Sequence, residues 1–320
     1  MDRSESAGSR SAATAADAPS TIAVVGVGSI GGIVAACLTH DTRYKVVACA
    51  RRPLDHLALE RPEETVEVAL HTVTDPTEAE PVDWVLLCTK THATASAAPW
   101  LRRLCRPSTH VVVLQNGIDH VARVSPFVAG ATVVPAIVYF NGERVAGDRV
   151  RLRRTPERDL AVPDGAAGRA FAHLLEATPL RVSLSADFTT LLWRKLLLNA
   201  TANPITALTR QRQSVLRRDD MRALCLAILG EATAIARADG AQLADDEAER
   251  VMSTLLTYPA EAGTSMYFDC LAGRPLEVEA LTGAIVAGGE RHGIATPINR
   301  TLLVVLRAIS DAAEILRASL

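Results

Sequence analysis

The chain has 320 residues, of which 48% are hydrophobic, and a formal net charge of -2. That length allows two domains with a real core. The charges are mixed in sign along the chain, which argues against a nucleic-acid footprint or a membrane-surface patch, and no apolar run is long enough for a membrane-spanning helix.

Cys37, Cys49, Cys88, Cys105, Cys225 and Cys270 form no C-x-x-C pair, and most sit in apolar runs. They read as small hydrophobic core residues of a reducing compartment. Residues 1–20 are rich in Ala and Ser and lack an apolar signal core. A disordered tail and a cytoplasmic protein are the expectation.

A β-branched run at 21–25 is followed by Gly26-Val27-Gly28-Ser29-Ile30-Gly31 and then by an apolar helical pattern. This is G-x-G-x-x-G between a strand and a helix. Gly26 allows the tight turn, Gly28 lets backbone approach a pyrophosphate, and Gly31 lets the helix pack close to the strand. The helix N-terminus, with its N–H groups and dipole, would then face the phosphates. A second strand over 44–50 follows at the spacing of a dinucleotide-binding unit. It ends in Ala50-Arg51-Arg52-Pro53, without the acid that an NAD site places on the ribose hydroxyls. Guanidiniums can pair with a 2′-phosphate, so NADP is the expected cofactor, with Arg51 ahead of Arg52 as its reader.

Two nearly continuous apolar runs come next, at 83–88 and 111–114, as expected of parallel strands buried on both faces. They end in Thr89-Lys90-Thr91 and Gln115-Asn116-Gly117. Ligands of open α/β sheets bind beyond the carboxyl ends of strands, so Lys90 and Asn116 are expected over the cofactor. Residues 131–140 read as one more strand. The pattern predicts a hairpin from 149–152 and 159–162, with Asn141-Gly142 and Asp164-Gly165 as turn signals. The basic run at 149–154 reads as a solvated edge strand or hairpin.

From about 186 strand-like runs give way to helical periodicity. Helices are predicted over 188–202, 218–239, 245–256, 275–292 and 297–317. The expected organisation is therefore a tail at 1–20, a Rossmann-type dinucleotide-binding domain at 21–186 and an all-helical domain at 187–320, with substrate in the cleft between them. Within RKLLLNATANPITAL at 194–208, steps of four place Lys195, Asn199 and Asn203 on one side of a leucine-rich helix. Glu277 and Glu279 lie two apart near a helix start, where acids either compensate the helix dipole or contact a ligand.

Five blocks together give the chain a likeness: GVGSIGG, ARR after the second strand, TK with QNG, WRKLLLNATANPITAL and TSMYFDCLAGRPLEVEALTG. In this order they resemble the ketopantoate reductase (2-dehydropantoate 2-reductase) family. The resemblance implies NADPH-dependent reduction of 2-dehydropantoate to (R)-pantoate, by hydride transfer to the C2 carbonyl. It implies Lys195 as general acid and Asn199, Asn203, Ser265 and Glu277 as substrate-binding residues. Lys90 and Asn116 match residues near the nicotinamide and ribose, and Arg51 the arginine on the 2′-phosphate. Glu279 has no such role and is expected on the helix surface.

Three rival readings remain at this point. One is a relative within the family acting on another 2-oxo acid. Another is a dehydrogenase of the β-hydroxyacid or 6-phosphogluconate type, which also carries Lys-x-x-x-Asn on a helix. The last is a non-catalytic NADP sensor, which should have lost its acid–base group. The expected partner is a small 2-oxo acid. A homodimer is compatible with the sequence.

Overall fold

The computed structural model describes residues 19–318, apart from 42 and 156. The tail expected over 1–20 lies, up to residue 18, outside the described residues, and Ser20 already belongs to the first strand. The strands are β1 (Ser20–Val25), β2 (Tyr44–Cys49), β3 (His56–Glu60), β4 (Thr65–Ala69), β5 (His71–Val73), β6 (Trp84–Leu87), β7 (His110–Val113), β8 (Thr132–Pro135), β9 (Ile137–Val138), β10 (Asn141–Ala146), β11 (Arg149–Arg153), β12 (Leu160–Pro163) and β13 (Val182–Ser185). The helices among them are α1 (Ser29–Thr39), α2 (Ala98–Leu104), α3 (His120–Val124) and α4 (Ala166–Leu174). After β13 come only helices: α5 (Phe188–Thr209), α6 (Asp219–Ala238), α7 (Glu247–Thr257), α8 (Ser265–Leu271), α9 (Ala284–His292) and α10 (Pro297–Ala318).

The central sheet has six parallel strands in the order β5-β2-β1-β6-β7-β8. Strand order reverses between β1 and β6, and the crevice at such a reversal is where α/β sheets bind nucleotides. The apolar runs of the sequence become strands sealed on both sides. Along β1, Ile22 and Val24 enter a core shared with α1 and Phe171 of α4, while Ala23 and Val25 enter a second core shared with Leu101 and Leu104 of α2. A third core, among α5 to α10, is built from Trp193, Leu196, Leu197 and the buried faces of the other helices. An N-terminal Rossmann-type domain thus precedes an all-helical C-terminal one.

Several local expectations differ from the structure. The strand expected over 131–140 is two: β8 closes the central sheet, whereas β9 pairs with β12 in a three-stranded sheet. The hairpin partner of β11 is β10, not the segment at 159–162, and Asn141-Gly142 lies inside a strand rather than at a turn. Of the two alternatives for the run at 149–154, hairpin holds and edge strand does not. β11 is flanked by β10 and β3, and Arg149 and Arg151 pair with Glu60, while Arg151 and Arg153 reach Glu143. The β10–β11 turn is local, at Gly147-Asp148, whereas the pairings of β11 with β3 and of β9 with β12 are long-range choices that local periodicity does not encode. In the helical half, α5 continues through Pro204 to Thr209. Proline removes one backbone donor, yet the segment around it is buried, and packing there outweighs the loss. The helix predicted over 275–292 begins only with a π-turn at Glu279–Gly283, closed by Gly283 N–H donating to Val278 O.

The β1–α1 junction is intolerant of side chains. A Cβ on Gly31 would meet the Gly26 carbonyl oxygen at 2.1 Å and the Cys88 Cβ at 2.9 Å. Gly31→Ala should therefore lower unfolding free energy by about 1–3 kcal/mol, read from urea denaturation. An unchanged midpoint would show that the helix can shift away from the strand.

Candidate active site

The glycine-rich loop runs from β1 into α1. Gly26 takes a positive φ of 94° and donates its N–H to the Cys49 carbonyl, tying the loop to the end of β2. No side chain caps the N-terminus of α1, and the space where a Gly28 side chain would stand is open. An uncapped helix end behind an unobstructed glycine is the cradle a dinucleotide pyrophosphate requires. Gly26, Val27, Gly28, Ser29, Ile30 and Gly31 all lie in this turn. Arg51 and Arg52 follow β2 in the exposed segment past its carboxyl end, with no ion pair among the described residues.

The next two strands carry the polar groups nearest to this cradle. Thr89, beyond β6, sits against Gly26, and Lys90 follows it. The Lys90 ammonium donates to Asp269 Oδ2 at 2.7 Å and to Glu277 Oε2 at 3.3 Å. Glu277 is 6% exposed. Its Oε1 accepts from the Thr91 N–H at 3.0 Å, and its Oε2 also accepts from Asn116 Nδ2 at 3.0 Å. Asn116 in turn accepts at Oδ1 from Asn199 Nδ2 at 3.4 Å. One chain of polar contacts therefore joins the ends of β6 and β7 to α5 and to the segment before the π-turn. Gly117 makes this approach possible: its φ is +97°, and a Cβ there would meet the Ala280 carbonyl at 2.9 Å.

Burial pushes the Glu277 carboxyl up, but Lys90, the Thr91 N–H and Asn116 outweigh it and hold it below its usual range. Glu277 is therefore a carboxylate, and its oxygens serve this cluster rather than a helix N-terminus. For Lys90 burial acts downward, while the Glu277 and Asp269 carboxylates win and raise its pKa.

Lys195 differs. It lies on α5 one turn before Asn199 and, with Asn116, Asn199, His120 and Val138, lines a narrow cavity below the ends of the sheet strands. Its ammonium stands 5.6 Å from the centre of the Tyr139 ring and makes no hydrogen bond among the described residues. Burial alone lowers its pKa to about 8. Glu277, engaged by Lys90 and Asn116, does not offset this.

The remaining residues named from the sequence stand apart from this network. Asn203 lies further along α5, 4% exposed, with no side-chain hydrogen bond to the cluster. Ser265 is the exposed first residue of α8. Glu279 pairs with Arg307 on the surface. Sequence reading missed Asp269, which is 5% exposed and held by Arg274 Nε at 2.8 Å. Its position four residues after Ser265, on the same short helix, was the only available signal. His120 was also missed. Its Nε2 contacts the Gln115 carbonyl at 2.8 Å, and burial lowers its pKa to about 4, so it is neutral near pH 7.

The family model described as ketopantoate reductase PanE/ApbA matches residues 22–164, and its C-terminal counterpart matches 187–310. The 2-dehydropantoate 2-reductase of Mycobacterium tuberculosis is 41% identical over 292 residues, covering 91% of this chain and 98% of that protein. The chain belongs to the ketopantoate reductase family. A second relative, the 2-dehydropantoate 2-reductase of Caulobacter vibrioides, is 37% identical over 90% of this chain and 98% of its own length. The solved dimeric ketopantoate reductase of Staphylococcus aureus superposes with a TM-score of 0.81 at 27% identity, covering 92% of this chain and 99% of that one. The protein is therefore an oxidoreductase that works with a nicotinamide cofactor, and membership in this family decides against the β-hydroxyacid and 6-phosphogluconate dehydrogenases. Among the described residues no helix is long and apolar enough to cross a membrane, and no cluster suited to a metal ion occurs.

An unpaired, desolvated ammonium is costly to the fold. With a folded pKa near 8 against 10.5 when unfolded, Lys195 is charged in both states below pH 8, so the penalty is full there. It is relieved as pH rises from 8 towards 10.5, where the unfolded chain binds more protons. Lys195→Met should therefore raise stability at pH 7 by on the order of 1–2 kcal/mol, after discounting for partial exposure. The gain should shrink to nothing near pH 10.5 in chemical denaturation. A gain that is independent of pH would show that packing, not charge, is its cause.

Proposed function

We propose that the protein reduces 2-dehydropantoate to (R)-pantoate with NADPH, in the cytoplasm, with Lys195 as the general acid. The observation that carries this reading is the unpaired Lys195 ammonium beside Asn116 and Asn199 on a cavity at the carboxyl ends of the strands. Residues 21–186 would hold the cofactor, and residues 187–320 would contribute most of the substrate site. The bound cofactor supplies a hydride from C4 of its nicotinamide to the C2 carbonyl of the substrate.

As hydride arrives, negative charge develops on the carbonyl oxygen. Lys195 stabilises that charge and gives up one proton from Nζ to the oxygen, leaving a neutral amine and the product hydroxyl. A pKa near 8 keeps the lysine protonated at neutral pH yet lets it release a proton readily. Asn199 and Asn203 offer neutral donors and acceptors without a competing charge. Ser265, at the N-terminus of α8, would meet the substrate carboxylate. Glu277 orients the site by fixing Asn116 and Lys90, and contacts the substrate hydroxyl. Gly26 to Gly31 seat the pyrophosphate, Lys90 and Asn116 lie by the nicotinamide and ribose, and Arg51 pairs with the 2′-phosphate. A homodimer is part of this reading, because the related S. aureus enzyme is dimeric. A non-catalytic sensor is disfavoured, since nothing about its role would need a lysine desolvated without a partner.

Lys195→Ala should lower kcat about a hundred- to ten-thousand-fold, with NADPH binding little changed. In the wild type, kcat for reduction should fall as pH rises through about 8, because the proton to be donated is lost there. Wild-type turnover by the alanine variant, or a flat profile across that range, would sink the assignment. Arg51→Ala should raise the KM for NADPH roughly tenfold or more, the loss of a charge-assisted phosphate contact, and leave NADH kinetics alone. Equal damage to both cofactors would mean that Arg51 does not read the phosphate.

A further inference from the structure

Arg144 stands on β10, in a hairpin that the proposed reaction does not use. Its guanidinium nevertheless reaches the glycine-rich loop. Nη1 donates to the Val27 carbonyl and lies 3.5 Å from that of Gly28. Nε donates to Ala146 O at 3.1 Å, and Nη2 to Gly147 O. The pairing of β10 with β11 shifts register between Arg144 and Ala146, and bulges of this kind re-aim a side chain.

The hairpin is also moulded onto α1. A Cβ on Gly142 would meet Ile33 Cδ1 at 3.0 Å and the Ser29 backbone at 3.2 Å, and one on Gly32 would meet Val150 Cγ1 at 2.9 Å. Arg144 thus stands on a hairpin packed closely against the helix that follows the loop. Its charge is handled differently from that of its neighbours. Arg149, Arg151 and Arg153 all pair with glutamates, but Arg144 has only backbone carbonyls as hydrogen-bond partners among the described residues. The half-buried guanidinium is pushed down by desolvation against an opposing Asp148, and it stays a cation near neutral pH.

We propose that Arg144 is a positioning residue for the cofactor: it fastens the Val27 carbonyl so that the loop's N–H groups stay turned towards the pyrophosphate, and it adds positive charge beside them. The inference rests on reading Gly26 to Gly31 as the dinucleotide cradle. Loop fastening and local charge act on the part common to both dinucleotides, unlike Arg51, which would act on the 2′-phosphate alone.

The test is titration of the purified protein with NADPH and with NADH, followed by nucleotide fluorescence, together with steady-state kinetics and thermal denaturation. Arg144→Gln should weaken binding of both dinucleotides by the same factor, about tenfold, and leave kcat at saturating cofactor unchanged. Arg144→Lys should recover part of the loss, since it restores the charge but only one of the donor directions. A folded Arg144→Gln protein whose two affinities stay within twofold of wild type would overturn the proposal. So would a loss confined to NADPH. If Arg144→Gln does not fold, Arg144→Lys alone decides: equal, intermediate weakening for both dinucleotides supports the proposal, and wild-type affinities overturn it. A wild-type protein that binds neither dinucleotide would instead refute the cradle itself.

Discussion

The buried carboxylate of Glu277 is the constraint on which the site depends. A carboxylate almost withdrawn from water is strongly destabilising unless its oxygens are satisfied. Here the donors are the Lys90 ammonium, the Thr91 N–H and the Asn116 amide, all beyond the ends of β6 and β7. The helical half therefore cannot settle against the sheet in any other register without leaving that charge bare. The same contacts orient Asn116, whose remaining oxygen accepts from Asn199 on α5. Burying one acid in this way specifies an arrangement of four chain segments that apolar packing alone would leave loosely defined.

Much of the sheet half was legible because each signal has a local cause. Gly26, Gly28 and Gly31 are required by a turn, an open approach and a close contact, and each is visible within six residues of sequence. The apolar runs at β6 and β7 announce strands covered on both faces. What could not be read was partnership. β11 lies beside β3, far away in sequence, and the run through Pro135 broke into strands of two sheets, because register is settled by distant chain. Pro204 was misleading for the opposite reason. Its local penalty is real, but the segment it sits in is buried on nearly every side.

The site divides along the same line. Lys90 and Asn116 could be placed by the rule that strand ends face the ligand, whereas Lys195, Ser265 and Glu277 acquired roles only from likeness to a family. Neither route revealed that Lys90 is shared between Glu277 and Asp269, since that depends on α8 folding back over the end of β6. A lysine at a strand end needs counter-charge, but nothing local says which of the chain's acids supplies it.

The two lysines, Lys90 and Lys195, show how environment assigns chemistry. Both lose hydration, which by itself favours the neutral amine. Lys90 has two carboxylates within hydrogen-bonding distance, and they overcome the loss and raise its pKa. Lys195 has an aromatic ring at 5.6 Å and apolar neighbours, and its pKa falls to about 8. A lysine fastened by two acids would have to break those contacts to release a proton. An unpaired one near its pKa can release it at little cost. Glu277 lends its charge to Lys90, and no carboxylate raises Lys195 in the same way.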